Sequence, residues 1–402
     1  MKFKTGRTLA ALAIVGAFVV AILPSVSSAS SPTVSAKTFN PNFTTMAYLK
    51  SVAAMGHGMI GVILPDTVSS NRYVDFDAPF LAKAFKDAGL KSSQYKIQNA
   101  DGSDTTQYTD AQADIAEGAK VLLFDPLDQT TGAIVEAYAA ARGVKVIDYD
   151  RLTLGGARSY YVSFDNVQVG KLLGTGLLSC ITAWKIASPT IYEMYGSPTD
   201  NNATLFADGY KPVLSGSGDT VIDENVGTWT PSVALTDFEG AYSANPKINA
   251  VLTPNDENAA PIIAHLQSQG LKPDTIPFTG QDATTTGFQN IISGYQCGTV
   301  YKPFWEETQA AAALAVYLRA GEKPPAALLN GTVTDVVATI NSLKHVPSVL
   351  LTPTWVTASN IETTAIKDKQ EPASDICTNV APTVSGATEP TYAADCTTYG
   401  IH

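Results

Sequence analysis

Polar clusters rich in Asp, Asn and Arg follow a series of short apolar runs in this sequence. Pro65-Asp66 and Asn71-Arg72-Tyr73 follow the run 59–64, and Asp148-Tyr149-Asp150-Arg151 closes the run 144–148. Further along, the stretch 196–202 (GSPTDNN) follows 190–194, Asn255-Asp256 follows 250–252, and Gly280-Gln281-Asp282 follows 277–279. Carboxylates and amides accept hydrogen bonds, while guanidinium, ammonium and amide N–H groups donate them. A hydroxyl does both, so a dry site for a small polyol needs the two kinds facing each other with nothing left unpaired. Arg offers a fixed fork and a carboxylate takes two bonds, so each holds two neighbouring hydroxyls at once. Flat rings such as Trp229 and Tyr73 suit the apolar C–H faces of a cyclic polyol. A single strand-end Asp or Asn is as readily a helix cap or turn residue; the number and shared position of these residues point to a site.

Catalytic chemistry is not called for. The sequence has no G-x-S-x-G elbow, P-loop, dinucleotide fingerprint or H-E-x-x-H motif. His57, His265, His345 and His402 are scattered rather than spaced as metal ligands. Aspartates could mimic a glycosidase pair, but the Asn, Arg and Lys among them suit binding without cleavage. Residues 99–104 resemble a calcium loop only faintly, lacking its ligand spacing and closing Glu. We therefore expect no catalytic residue, no metal and no cofactor.

The elements that must position these groups alternate. Apolar runs at 59–64, 121–124, 144–148, 190–194, 250–252 and 277–279 read as strands, separated by amphipathic helical stretches. Phe80, Ala84, Phe85 and Ala88 recur at helical spacing before Gly89, as do Ile134, Val135, Tyr138 and Ala141 before Gly143. Further helices are expected at 44–54, 169–184 and 306–319. Such βαβα alternation builds parallel sheets whose ligands bind beyond the carboxyl ends of the strands, where the polar clusters fall.

The chain of 402 residues exceeds what one core usually serves, so two lobes are expected. With 45% apolar and 16% charged residues it has ordinary globular composition, and a net charge of −11 argues against nucleic acid. Residues 1–29 read as a signal peptide: Lys2, Lys4 and Arg7, an apolar run over 9–23, and Ser27-Ser28-Ala29 as cleavage site. The run falls short of the roughly 20 residues of a spanning helix; a retained anchor is the alternative. No Cys adjoins the cleavage site, which disfavours a lipid anchor and favours a soluble periplasmic or secreted protein without membrane insertion. In that oxidising setting Cys377 and Cys396, close in sequence, are expected to pair; buried free thiols are the alternative for the cysteines, which include Cys180 and Cys297.

The segments YVSFDN (161–166), GSPTDNNATLF (196–206), ND (255–256), GQDA (280–283), YKP (301–303) and LLTP (350–353) resemble, in order and spacing, those of periplasmic D-xylose-binding proteins. The resemblance runs from about residue 59 to 366. It implies an α/β fold of two doubly wound parallel-sheet lobes joined by a three-segment hinge, the type I periplasmic-binding-protein fold, without catalytic activity. It implies D-xylose or a related monosaccharide (glucose, arabinose or ribose) as ligand and an ABC permease and ATPase as partners; a monomer suits a carrier that must hand its cargo to a permease. Matching positions assign sugar contacts to Arg72, Asp150, Arg151, Asn202, Trp229, Asn255, Asp282 and Lys302, with Asp200 and Asn201 as further contributors; Tyr73 is expected there as a ring for a C–H face. Two departures stand out: residues 65–77 differ from the family pattern, and Glu257-Asn258 replaces a run of small residues after ND. The expected organisation is signal peptide 1–29, N-terminal extension 30–58, first lobe 59–164 and 298–330, second lobe 165–297 and 331–370, and C-terminal tail 371–402, with extension and tail as surface decoration. A sensor presenting its closed form to a membrane receptor is the alternative function. A repressor of related fold would open with a helix-turn-helix rather than a signal peptide.

Overall fold

The run MIGVIL at 59–64 is apolar at every side chain, as a strand covered on both faces requires. In the computed structural model, which describes residues 34–338, 343–380 and 390–402, it forms β1 (Met59–Leu64). The expected signal peptide, with residues 30–33, lies outside the described residues. Strands β2 (Tyr95–Asn99), β3 (Ala119–Phe124), β4 (Lys145–Tyr149) and β5 (Tyr160–Phe164) follow, alternating with helices α1 (Lys50–Met55), α2 (Ala78–Asp87), α3 (Asp104–Ala116) and α4 (Gln129–Ala140). Next come α5 (Asn166–Ala183), β6 (Thr190–Glu193), α6 (Asn201–Ser215), β7 (Thr220–Asp223), α7 (Pro231–Ala244), β8 (Ala250–Leu252), α8 (Asp256–Ser268), α9 (Thr285–Ile292) and β9 (Thr299–Tyr301). The chain ends with α10 (Phe304–Arg319), β10 (Gly331–Thr334), β11 (His345–Leu351), β12 (Thr354–Val356), α11 (Ala373–Cys377) and α12 (Tyr392–Tyr399).

The first lobe is built on one sheet in the order β10-β11-β5-β4-β3-β1-β2, parallel except for β10. Ile60, Val62 and Leu64 face a core shared with the fully buried Ala310 to Val316 of α10, while Ile63 faces a second core with Val135 and Ala139 of α4. The second lobe carries β7-β6-β8, all parallel. The expected strand at 277–279 is an extended segment bridged to β8 only at Phe278; it continues to Gln281, which bridges β9, and β9 pairs antiparallel with β12.

These pairings correct the expected lobe boundaries. Residues 331–351 belong to the first lobe, because β11 is hydrogen-bonded alongside β5 with Ser348 opposite Tyr161, and β10 folds back onto β11. Residues 299–301 belong to the second lobe through β9. The chain crosses between lobes after β5, at 302–303 and at 352–353, keeping the expected three-segment connection.

Extension and tail are core elements rather than decoration. Phe39, Phe43, Met46 and Leu49 are buried in the same core as α10, and Gln309 Nε2 donates to the Asn40 carbonyl at 2.9 Å. The expected helix at 44–54 is a 3-10 turn, Thr44–Leu49, running into α1. In the tail, Ile376, Cys396 and Ile401 pack on Phe288, Ile291 and Ile292 of α9. Disulfides join Cys377 to Cys396 and Cys180 to Cys297, leaving no free thiol among the described residues. Residues 99–104 form a strand-to-helix loop in which Ser103 caps α3, its Oγ accepting from the Thr106 N–H at 3.2 Å.

Candidate functional site

The chain leaving β1 is folded back by Asp66, whose carboxylate accepts the backbone N–H groups of Val68 and Ser69 at 2.7 and 2.6 Å and the Ser69 hydroxyl at 2.7 Å. This tight turn delivers Ser69, Ser70 and then Tyr73 to the cleft. At the end of β4, Asp150 stands at φ 56°, a left-handed conformation rare for a residue with a Cβ. Its backbone is over-determined: its N–H donates to Val162 O at 2.9 Å, and its carbonyl accepts from Tyr161 Oη at 2.9 Å and Asn202 Nδ2 at 3.0 Å.

The second lobe answers from helix N-termini. Asp200 caps α6, its Oδ1 accepting the Asn202 N–H at 2.9 Å and its Oδ2 the Trp229 indole N–H at 3.0 Å. Asn255 caps α8 and donates from Nδ2 to Ser69 O of the first lobe at 2.8 Å. Asp282 stands at φ 86°, its N–H on Val300 O at 3.0 Å. Positioning of α6 depends on glycine: a Cβ at Gly170 of α5 would overlap the Phe206 backbone, and one at Gly209 would overlap Val167 O, so these helices meet backbone to backbone.

Tyr73, Asp150, Arg151, Asp200, Asn202, Trp229, Asn255, Asp282 and Lys302 line one cavity between the lobes. Ser69, Ser70, Phe206 and Gln281 complete its wall and were not singled out from sequence. Phe206 and Gln281 lie inside the quoted motifs, so their signal was present; Ser69 and Ser70 lie in the loop that departs from the family pattern. Arg151 donates to Tyr73 Oη at 3.2 Å and Ser69 Oγ at 3.3 Å, and its Nε reaches Asp200 Oδ2 of the other lobe at 3.3 Å. Lys302 Nζ lies 2.9 Å from Asp282 Oδ1 and 3.9 Å from Asp150 Oδ1, tying both lobes to the crossover at 302–303.

Arg72, expected at the ligand, is not among the residues that line this cavity. Its guanidinium is engaged by carboxylates: Asp77 at 2.7 Å, Glu307 at 2.6 Å and Asp150 at 3.0 Å, with Phe304 stacked 4.1 Å from its centre. It buttresses Asp150 from behind. Burial opposes ionisation of Asp150, but Arg72, Lys302 and Arg151 outweigh it and bring the carboxyl down to about 2. Burial raises Glu307 to about 8 despite Arg72. Burial also lifts Asp125, 3.8 Å from Arg151 Nε, well above the usual carboxylate range.

The cavity thus combines a firmly ionised carboxylate on one lobe, a Lys-paired carboxylate on the other, amide and guanidinium donors, and the Trp229 and Phe206 rings. That combination suits vicinal hydroxyls and C–H faces of a small polyol. Among the described residues no cluster of His, Cys, Asp and Glu could hold a metal ion, and no helix is long and apolar enough to cross a membrane.

Comparison with known proteins agrees with this geometry. A family described as periplasmic binding protein domain matches residues 60–323. The D-xylose-binding periplasmic protein of Escherichia coli (strain K12) is 38% identical over 279 residues, covering 68% of this chain and 80% of that protein. A multiple sugar-binding periplasmic protein of Azospirillum brasilense is 34% identical over 328 residues, covering 76% and 88%. Among solved structures, a carbohydrate transporter solute binding protein from Chloroflexus aurantiacus in complex with D-glucose superposes with TM-score 0.68 at 28% identity, covering 79% of this chain and 98% of that one.

Proposed function

The chain belongs to the periplasmic binding protein family, and from that membership we propose that it captures one monosaccharide, D-xylose or a close relative, by lobe closure and hands it to an ABC importer. The carrying observation is the convergence of Asp150, Arg151 and Tyr73 from one lobe with Asp200, Asn202, Asn255 and Asp282 from the other on a single cavity. Neither lobe alone presents enough donors and acceptors for a ring of hydroxyls; together they do. Lys302 sits at a crossover, where closure brings it to carboxylates of both lobes. The sugar leaves chemically unchanged, since the carboxylates of the cavity are engaged by cations and hydroxyls rather than poised as an acid and a nucleophile. Export through the 1–29 segment would place the carrier outside the cytoplasm, where a monomer suits the hand-over.

A thermal-shift screen with D-xylose, D-glucose, L-arabinose and D-ribose, followed by calorimetry, tests this. We expect at least one pentose or hexose to raise the melting temperature in a concentration-dependent way. Absence of any shift across the panel, or conversion of the sugar by purified protein, would overturn it.

A further inference from the structure

Glu257, in the first turn of α8, reaches across the cleft to the first lobe. Its Oε1 lies 3.1 Å from Ser70 Oγ and 3.1 Å from the Asn71 backbone N. Ser70 Oγ also lies 3.0 Å from Asp282 Oδ2. A hydroxyl has one proton to donate, so Ser70 can serve only one of these carboxylates. The second short oxygen–oxygen contact needs a proton of its own, carried by Glu257 or Asp282. Asp282 has Lys302 Nζ 2.9 Å from its other oxygen. Glu257 takes part in no ion pair among the described residues, and its Oε2 is buried without a hydrogen-bond partner. The proton therefore belongs on Glu257, which donates to Ser70 Oγ while Ser70 donates to Asp282.

The groups facing Glu257 favour the same assignment. On its own lobe stand Asp282 and Asp256, the latter held by the Thr284 N–H at 2.9 Å and Gln296 Nε2 at 2.7 Å. On the first lobe stand the Ser70 hydroxyl, the Asn71 N–H and, behind the Asn71 side chain, Asp75 at 3.0 Å from its Nδ2. Burial, then the charges of Asp282 and Asp256, hold this carboxyl well above its ordinary range. With the lobes apart the same side chain would face water and titrate near the ordinary value of about 4.3.

Resting on the sugar-binding reading, we propose that Glu257 is a proton-dependent latch: protonated, it bolts the second lobe to Ser70 and Asn71 over the bound sugar, and ionised, it opposes closure. Closure then takes up one proton. Between the ordinary carboxylate value and the raised one, sugar affinity falls as pH rises, by at most about tenfold per pH unit for a single linked proton.

The test is titration calorimetry of the full chain with D-xylose and D-glucose at several pH values from mildly acidic to mildly alkaline, in buffers of different ionisation enthalpy, beside Glu257→Gln. Glutamine keeps the size of the side chain and removes the titrating proton; because Ser70 and Asn71 both meet the single oxygen Oε1, its neutral amide serves one of them at every pH. Wild-type protein should lose affinity as pH rises and take up protons on binding. The variant should take up fewer protons, by up to one, with a correspondingly flatter profile and affinity at alkaline pH at least equal to wild type. Equal proton uptake and equal pH slopes in both proteins would overturn the latch while leaving sugar binding intact. Failure of every sugar to bind either protein at any pH would instead sink the sugar reading.

Discussion

Asp150 and Asp282 meet the same cavity from opposite lobes, and both hold positive φ, a conformation costing of order 1–3 kcal/mol in a non-glycine residue. Such strain persists because the backbone groups of both are pinned by neighbouring strands. Replacing Asp282 with Ala keeps the Cβ, and with it the strain, and leaves Lys302 buried without its nearest anion. We expect sugar affinity to fall by about 2 kcal/mol or more, some thirtyfold, in a calorimetric titration; unchanged affinity would remove Asp282 from the site. Arg72 separates two roles that sequence could not. A residue that touched only sugar could be replaced with little loss of stability, whereas Arg72→Met strands Asp77, Asp150 and Glu307 in the interior. The sugar-free variant should lose roughly 3–5 kcal/mol of stability in a denaturant titration. The type and place of Arg72 after β1 were legible, but its direction was not, because that depends on Asp77 and Glu307, the latter more than two hundred residues away in sequence.

At the scale of elements, the strands that sequence showed best are those buried on both faces, β1, β3, β4 and β8. Of those it hid, β2 is only half-buried throughout, β7 and β10 are partly exposed and β12 has three residues, whereas β5 is buried beyond its first residue and carries two tyrosines and a serine that break its apolar run. Missing β10 and β11 moved a lobe boundary, since nothing local in His345–Leu351 says which sheet it joins. The glycines of α5 were visible as a composition, but their purpose appears only against α6, where Gly170 and Gly209 let backbones touch. Gly170→Ala must push α6 outward and carry Asp200 and Asn202 with it. We expect a lower melting temperature, by the equivalent of about 1–3 kcal/mol, together with weaker sugar binding. A variant with lowered stability but undiminished affinity would show that α6 does not set the site. The tail disulfide is a milder case: losing Cys377–Cys396, with 19 residues of separation, should cost about 3 kcal/mol in the chain-entropy view. The C377S/C396S pair should melt earlier, and an unchanged melting temperature would mean that packing on α9 alone holds the tail.

Taken whole, the molecule buries many carboxyls, and their combined effect sets how stability responds to pH. Burial, the leading cause for each, raises Glu136, Glu224, Asp256, Glu306 and Glu371 to about 7 and Glu307 to about 8. In the unfolded chain these groups titrate near 4, so between that value and 7–8 the folded protein holds protons the unfolded chain has released. Stability then falls as pH rises through that interval. Asp150 acts in the opposite sense: lowered to about 2, it contributes stability that is present above roughly 4 and lost as pH falls through its folded value. The two trends place the stability maximum on the mildly acidic side rather than at neutrality. Melting of the sugar-free protein should therefore occur at a higher temperature at pH 5.5 than at pH 8. A curve that is flat or climbs between these values would mean that water reaches these carboxyls in the folded protein.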